Sequence, residues 1–289
     1  MHLNKLALKD KKTFDKYLSL REHALAVYSF ANIYIWKDFF DIRWAVINKS
    51  LCVFFRDKIG CFLYLEPLGG PVQEETMQEI FQEADHIENV EEDSLGFYEK
   101  RALITKFKAH DYICRRSDLV NLSGNKFKSQ RWGLNYFLKH YRAQCAPYTA
   151  KDKSGCLALY KTWMQERKSA NSDSVYQWML EDNFKALKTL LNNYSKLGVL
   201  GCSVKIDGEI KAFSFGYRLD KDTFCILYEI TDLSVKGLAQ FIFHHFCSQL
   251  KGYKFINIMD DSGLENLKKV KLSYHPVRLA SAYIIKKKE

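Results

Sequence analysis

Apolar positions recur along this chain with two periods, and each change of period marks a change of element. From Leu6 to Tyr28 the spacing reads as helix, with Leu18, Arg21 and Leu25 on successive turns. "RWAVINKSLCVFFRDKIGCFLYLEPLGG" then reads as strands joined by turns. Asn48–Ser50 and Asp57–Gly60 carry the turn chemistry. Pro67, Gly69, Gly70 and Pro71 close this segment. Glu74 to Ala84 patterns as a charged amphipathic helix, "ENVEEDS" as a surface loop or edge, and "HDYICRRSDLV" as a short strand. The first half is therefore α+β.

The second half repeats this grammar more clearly. "SGCLALYKTWMQERK" and "SVYQWMLEDNFKALKTLLNNY" place apolar residues at helical spacing. Three strands follow, "GVLGCSVKID", "EIKAFSFGYRL" and "TFCILYEIT", joined at Asp207–Gly208 and Asp220–Asp222. "VKGLAQFIFHHFCSQL" returns to helix, through Leu238, Phe241, Ile242 and Phe246. A strand "YKFINIMD", a short helix "GLENLKKVKLSY" and a last strand "RLASAYIIKKK" end the chain.

Length and charge add to this picture. At 289 residues the chain exceeds one ordinary core, and two domains of roughly 150 residues are expected. The pattern divides it into 1–120, a connecting basic–aromatic segment 121–149, and 150–289. Residues 121–289 hold 27 Lys and Arg against 15 Asp and Glu, whereas 1–120 hold 17 against 19. Such asymmetry points the second half at a polyanion or an anionic substrate. Eight cysteines without a C-x-x-C pair, mostly within apolar runs, read as buried thiols of a reducing cytosol. No metal site is expected, and the adjacent His244 and His245 diverge on their helix, with His245 at the core boundary. "ALAVYSFANIYIW" is shorter than the ~20 residues of a membrane helix. A cytoplasmic protein is expected.

Helices, antiparallel strands, helix, strand, helix, strand is the order of a GNAT acyltransferase domain. Such domains bind an activated acyl donor where two strands splay beside a helix N-terminus, whose unpaired N–H groups favour anions. The stretch Ser234–Ala239 tests this. Gly237 and Ala239 fit the phosphate loop Gln/Arg-x-x-Gly-x-Gly/Ala, Ser234 departs from it, and Lys236 adds a cation.

Several motifs resemble the DUF2156 family, whose domain is also the C-terminal, aminoacyl-transferring part of phosphatidylglycerol lysyltransferases. "DYICRRSDLVNLSGNKFKSQRWGLNYF" is similar to its Asp-Tyr, Leu-x-Gly-x-Lys and Lys-Arg-x-x-x-Asn-x-Phe pattern, through Asp111, Tyr112, Leu122, Gly124, Lys126, Arg131, Asn135 and Phe137. "INIMDDSGLENLKKVKLSYHP" matches at Asn257, Asp261, Gly263, Leu267, Lys268, Lys271, Ser273, Tyr274 and Pro276. Ile258 and Met259 stand where the family has Arg and Glu, Ile230 where Lys is common, and Gln130 and Trp132 interrupt the opening motif. The resemblance implies tandem GNAT-like domains, each a mixed, mostly antiparallel sheet flanked by helices. It also implies transfer of an aminoacyl group from charged tRNA to an amine or hydroxyl acceptor. An acyl-CoA-dependent N-acetyltransferase and a non-catalytic binding module are the alternatives, the latter motivated by Ile258 and Met259.

Acyl transfer needs a proton acceptor, a stabilised oxyanion and a protonated leaving group. Glu229, in the apolar strand "FCILYEIT", is the candidate base, because burial would raise its pKa. Tyr274 is the candidate leaving-group acid. Lys236, Gly237, Ala239, Lys268 and Lys271 are the candidate donor-binding residues. Lys126, Lys128, Arg131, Asn257 and Asp261 are the candidates for substrate or polyanion. No tightly bound cofactor is expected: aminoacyl-tRNA or acyl-CoA serves as donor substrate. Candidate partners are tRNA and an anionic lipid or small amine acceptor.

Overall fold

The computed structural model describes residues 2–70 and 72–288; Pro71, in the turn expected after Leu68, lies outside them. The first of two units takes the described residues up to Asp111, with Met259–Glu265 and those from Leu279 on. Its strands are β1 (Asn4–Lys5), β2 (Asp41–Ile47), β3 (Ser50–Arg56), β4 (Cys61–Leu63) and β5 (His86–Glu91). Its helices are α1 (Lys11–Leu18), α2 (Phe30–Tyr34), α3 (Glu74–Glu83) and α4 (Leu95–Glu99). β1 to β4 pair antiparallel in succession, and β4 lies parallel to β5. Asn48 and Lys49, at φ 46° and 71°, make the tight β2–β3 turn, whose left-handed backbone matches the strand twist. Asp57 Oδ1 closes the next turn by accepting from the Ile59 and Gly60 N–H groups at 2.7 and 3.0 Å.

Two expectations fail in this unit. The helix expected over Leu6–Tyr28 ends at Leu18. The chain that follows is held by buried carboxylates rather than by helical bonds. Glu91 accepts from the Ala24 and Leu25 N–H groups at 2.6 and 3.3 Å, and Asp111 accepts from the Ala26 N–H at 2.6 Å. The acidic run "ENVEEDS" is not a surface loop, because it includes most of β5, where Asn89, Val90 and Glu91 are buried. Glu91 meets Arg21 at 3.0 Å and His23 Nδ1 at 2.9 Å. Burial pushes its pKa up, but the His23 contact, the Ala24 N–H and Arg21 outweigh that and hold it below the usual carboxylate range.

Strand β6 (Ile104–Arg115) carries the chain into the second unit, Tyr112–Ile258 with Asn266–Arg278. There follow α5 (Arg116–Asn121), α6 (Lys128–His140), β7 (Ala143–Pro147), α7 (Lys153–Ala170) and α8 (Ser174–Leu197). Then come β8 (Val199–Ile206), β9 (Glu209–Arg218), β10 (Thr223–Thr231), α9 (Leu238–Gln249), β11 (Phe255–Asn257), α10 (Glu265–Leu272) and β12 (Arg278–Lys286). β7 to β10 pair antiparallel, β10 is parallel to β11, and β11 is antiparallel to Ile113–Arg115 of β6. Helix α9 covers one face, packing Leu238, Ile242 and Phe246 on Val204, Ala212 and Phe224.

Each unit therefore shows the same succession of pairings. Three antiparallel pairs are followed by one parallel pair and then one antiparallel pair. The last place is filled out of chain order, by β12 against β5 in the first unit and by the end of β6 against β11 in the second. The division expected from chain order, with 150–289 as one domain, gives way for this reason. The final strand completes the sheet of the first unit.

Candidate active site

Asp261 apart, the candidate site residues lie in the second unit. β10 and β11 pair only through Thr223–Cys225 and Phe255–Asn257. β11 stops there while β10 runs on to Thr231, so the two strands part company, and Glu229 sits on the portion of β10 beyond the split. Across the other edge of β10, Glu229 is opposite Ser214 of β9. Its Oε2 is sealed from solvent and, among the described residues, meets no hydrogen-bond partner. Burial pushes its carboxyl up to about 8, with the Lys271 charge opposing. Such a group can take a proton near neutral pH.

Tyr274 and Lys271 come from the end of α10 and the turn after it. Burial, and next the Glu229 charge, raise the Tyr274 hydroxyl well above the ordinary phenol range, so it stays protonated. The Tyr274 ring packs 4.4 Å from that of Phe243. Lys271 is buried, donates to the Ile258 carbonyl, and has its ammonium 6.0 Å from the Tyr112 ring centre. Lys268 is exposed. The two lysines therefore do not share a face: Lys271 turns inward and Lys268 outward.

The loop before α9 differs from the open phosphate cradle expected. Gly237 has φ +84°, and a Cβ there would overlap the Gly133 carbonyl oxygen and stand 3.1 Å from Phe137 Cβ. The close approach this glycine permits is to the backbone of α6, not to a ligand. Ala239 is part-buried in the first turn of α9. Lys236 is exposed, with its ammonium 4.7 and 4.9 Å from the ring centres of Trp132 and Tyr136.

The three cations before and within α6 do three different things. Arg131 donates to the carbonyls of Leu122 and Gly124, the latter at 2.6 Å, and so closes the turn after α5. Lys126 lies 3.9 Å from Asp118 and 5.1 Å from the Phe127 ring centre. Lys128 is exposed. Asn257 is fully buried on β11, whereas Asp261 falls in the first unit, where it accepts from the Gly263 N–H at 3.0 Å.

Gln130, which the sequence showed only as an interruption of the opening motif, is held against the turn that carries Tyr274. Its Nε2 donates to the Ser273 carbonyl at 2.8 Å and to the Ser273 hydroxyl at 3.0 Å. Its Oε1 is buried and, among the described residues, unpartnered. The signal was available: Phe127, Gln130, Leu134 and Phe137 form one buried stripe of α6 and the turn before it, and a lone amide on such a stripe needs partners.

Residues 20–286 match the family described as phosphatidylglycerol lysyltransferase, C-terminal. A conserved Bacteroides thetaiotaomicron protein of unknown function superposes with a TM-score of 0.90 at 26% identity, over 99% of each chain. The structure of L-PGS from Bacillus licheniformis superposes with a TM-score of 0.65 at 17% identity, over 97% of this chain and 92% of that one. An uncharacterised protein of Mycoplasmoides gallisepticum is 26% identical over 185 residues, 61% of this chain. The match spans 56% of that curated relative's length. The mixed sheets flanked by helices are GNAT-like. Among the described residues no helix is long and apolar enough to cross a membrane.

Proposed function

Because the chain belongs to the family of phosphatidylglycerol lysyltransferase C-terminal domains, we propose that it transfers an aminoacyl group from charged tRNA to an amine or hydroxyl acceptor. The observation that carries this reading is the sealed Oε2 of Glu229, unpartnered among the described residues, on β10 beyond its split from β11. A carboxyl raised to about 8 is matched to removing a proton from a nucleophile near neutrality.

In this reaction Glu229 accepts the proton of the acceptor amine or hydroxyl as that group attacks the aminoacyl ester carbonyl. The ester C–O bond then breaks, and the ribose oxygen leaves. Tyr274, which stays protonated, supplies a proton to that oxygen. Lys271 sets the electrostatics: its charge opposes the rise in the Glu229 pKa and keeps the base usable. The basic excess of residues 121–289 favours a polyanionic donor. Lys126, Lys128 and Lys236 offer exposed ammonium groups for phosphates.

The test is a transfer assay with radiolabelled aminoacyl-tRNA, offering phosphatidylglycerol vesicles and small amines as acceptors, with acetyl-CoA titrated in parallel. Labelled acceptor that appears only with charged tRNA supports the reading. Heat of binding with acetyl-CoA, without tRNA binding or transfer, would replace it with the acyl-CoA reading.

A further inference from the structure

Helix α6 has two unlike sides. Gly133, Leu134 and Phe137 are buried, and the Phe137 ring stacks 4.5 Å from that of Phe241 on α9. The other side carries Lys128, Trp132, Tyr136 and His140 at four-residue spacing, so their side chains line up along the helix. The Trp132 and Tyr136 ring centres are 5.5 Å apart, and Tyr136 and His140 stack at 4.0 Å. His140 Nδ1–H donates to the Tyr136 carbonyl at 2.7 Å, which keeps its ring in the row. The Lys236 ammonium, from the loop before α9, stands over both of the first two rings, 4.7 Å from Trp132 and 4.9 Å from Tyr136.

A helix side that only meets water keeps its large rings inward. Here Trp132 is 55% exposed, even with Lys236 in place. The row is also bordered by cations of one sign. Lys128 precedes Trp132 by one turn, Lys139 follows Tyr136 by three residues, and both are exposed. No Asp or Glu occurs between Asp118 and Asp152, so α6 carries no charge that offsets them. Exposed aromatic rings set among cations suit an unpaired nucleotide, whose base stacks while its phosphate pairs. A duplex suits them less, because its bases already stack on one another and only its backbone is presented.

We infer that this side of α6 is a docking surface for single-stranded nucleic acid, on which an unpaired base stacks against Trp132 while Lys128, Lys139 and Lys236 meet the flanking phosphates. The inference rests on the charged-tRNA reading only for the identity of the strand, which would be the unpaired end that carries the aminoacyl group. The rings supply contacts that every base can make, so the surface is tolerant of sequence. The lysines supply the salt dependence. Lys236 does both, since its ammonium is held beside the ring plane by the cation–π contacts and stays exposed for a phosphate.

The intact protein is titrated into a fluorescein-labelled single-stranded RNA of about eight nucleotides, into the same strand with abasic sites, and into the corresponding duplex. Anisotropy should report tightest binding to the intact single strand. Trp132→Ala should weaken binding of that strand about tenfold and of the abasic strand hardly at all, whereas Trp132→Phe should keep most of the affinity. Lys139→Ala and Lys236→Ala should each lower the salt slope by about 0.7. Circular dichroism checks that each variant is folded. An abasic strand bound as tightly as the intact one, or Trp132→Ala binding both as wild type does, would overturn the surface. So would phosphatidylglycerol vesicles that bind through Trp132 while the RNA does not. Binding is read here without transfer, so the two readings fail separately. Wild type that transfers from charged tRNA, with RNA binding intact in Trp132→Ala, removes the surface alone. RNA bound through Trp132 without any transfer supports the surface and removes the reaction.

Discussion

Gly237, before α9, lies against the backbone of Gly133 in α6, which occupies the space a side chain on Gly237 would need. A Cβ on Gly237 would overlap the Gly133 carbonyl, and a Cβ on Gly133 would come within 2.9 Å of the Gln240 side chain. Gly237→Ala should therefore destabilise the fold by about 2–4 kcal/mol, from the left-handed backbone and the clash together. Urea denaturation measures it. A midpoint equal to wild type would mean that α6 does not hold the loop shut.

Glu229 predicts a pH signature in stability. Its folded pKa, about 8, lies above the unfolded carboxylate value. The folded state therefore keeps a proton that the unfolded state has lost. The associated stability is fully present below the unfolded pKa and is lost as pH rises from about 4.5 toward 8. The loss is on the order of 4 kcal/mol. Glu229→Gln removes the titration, so its melting temperature relative to wild type should climb between pH 5 and pH 8.5. Parallel curves for the two proteins would contradict the sealed environment.

Glu91 predicts the opposite sign. Its folded pKa is lowered, so its contribution is present above the unfolded pKa and is lost as pH falls through the folded one. Glu91→Ala strands His23 and the Ala24 and Leu25 N–H groups and leaves Arg21 with Glu66 alone, and should cost about 3–5 kcal/mol at neutral pH. Chemical denaturation at pH 7 and pH 4 should show that cost shrinking in acid.

The cations before and within α6 should separate by role. Arg131→Ala loses charged hydrogen bonds to two carbonyls and should cost about 1–3 kcal/mol of stability. Lys126→Ala and Lys128→Ala should stay within about 0.5 kcal/mol. If tRNA lies on these lysines, each of those two changes lowers the salt dependence of binding by about one unit of slope. A lysine pair that leaves the slope untouched is a solvated face.

Much of the second half was legible because its periods are long and its turns carry Asp and Gly. The strands from Val199 to Thr231 and the helix from Leu238 stand where the apolar runs, their Asp-bearing turns and the helical spacing predicted them. Three features were not legible, each because a distant residue decides it. The segment after Leu18 looks helical by spacing, but Glu91 and Asp111 take its N–H groups. The acidic end of β5 is buried because Arg21 and His23 partner Glu91. The out-of-order strands β6 and β12 leave no local signal, since pairing partners across long separations are set by the sheet, not by propensity. At the site, Glu229 was readable as a carboxylate in an apolar strand. The closure of Gly237 against Gly133 was not, because a glycine before a helix fits a ligand and a neighbouring backbone equally well.

We propose Glu229 as the proton acceptor in aminoacyl transfer. Single-turnover transfer from charged tRNA, measured for wild type and Glu229→Gln across pH 6 to 9, tests it most directly. The wild-type rate should rise with pH and level off above about 8, where the carboxyl has lost its proton. Glu229→Gln should bind charged tRNA as wild type does but transfer at least about a hundredfold more slowly. A Glu229→Gln rate equal to wild type, with the same pH profile, would contradict it.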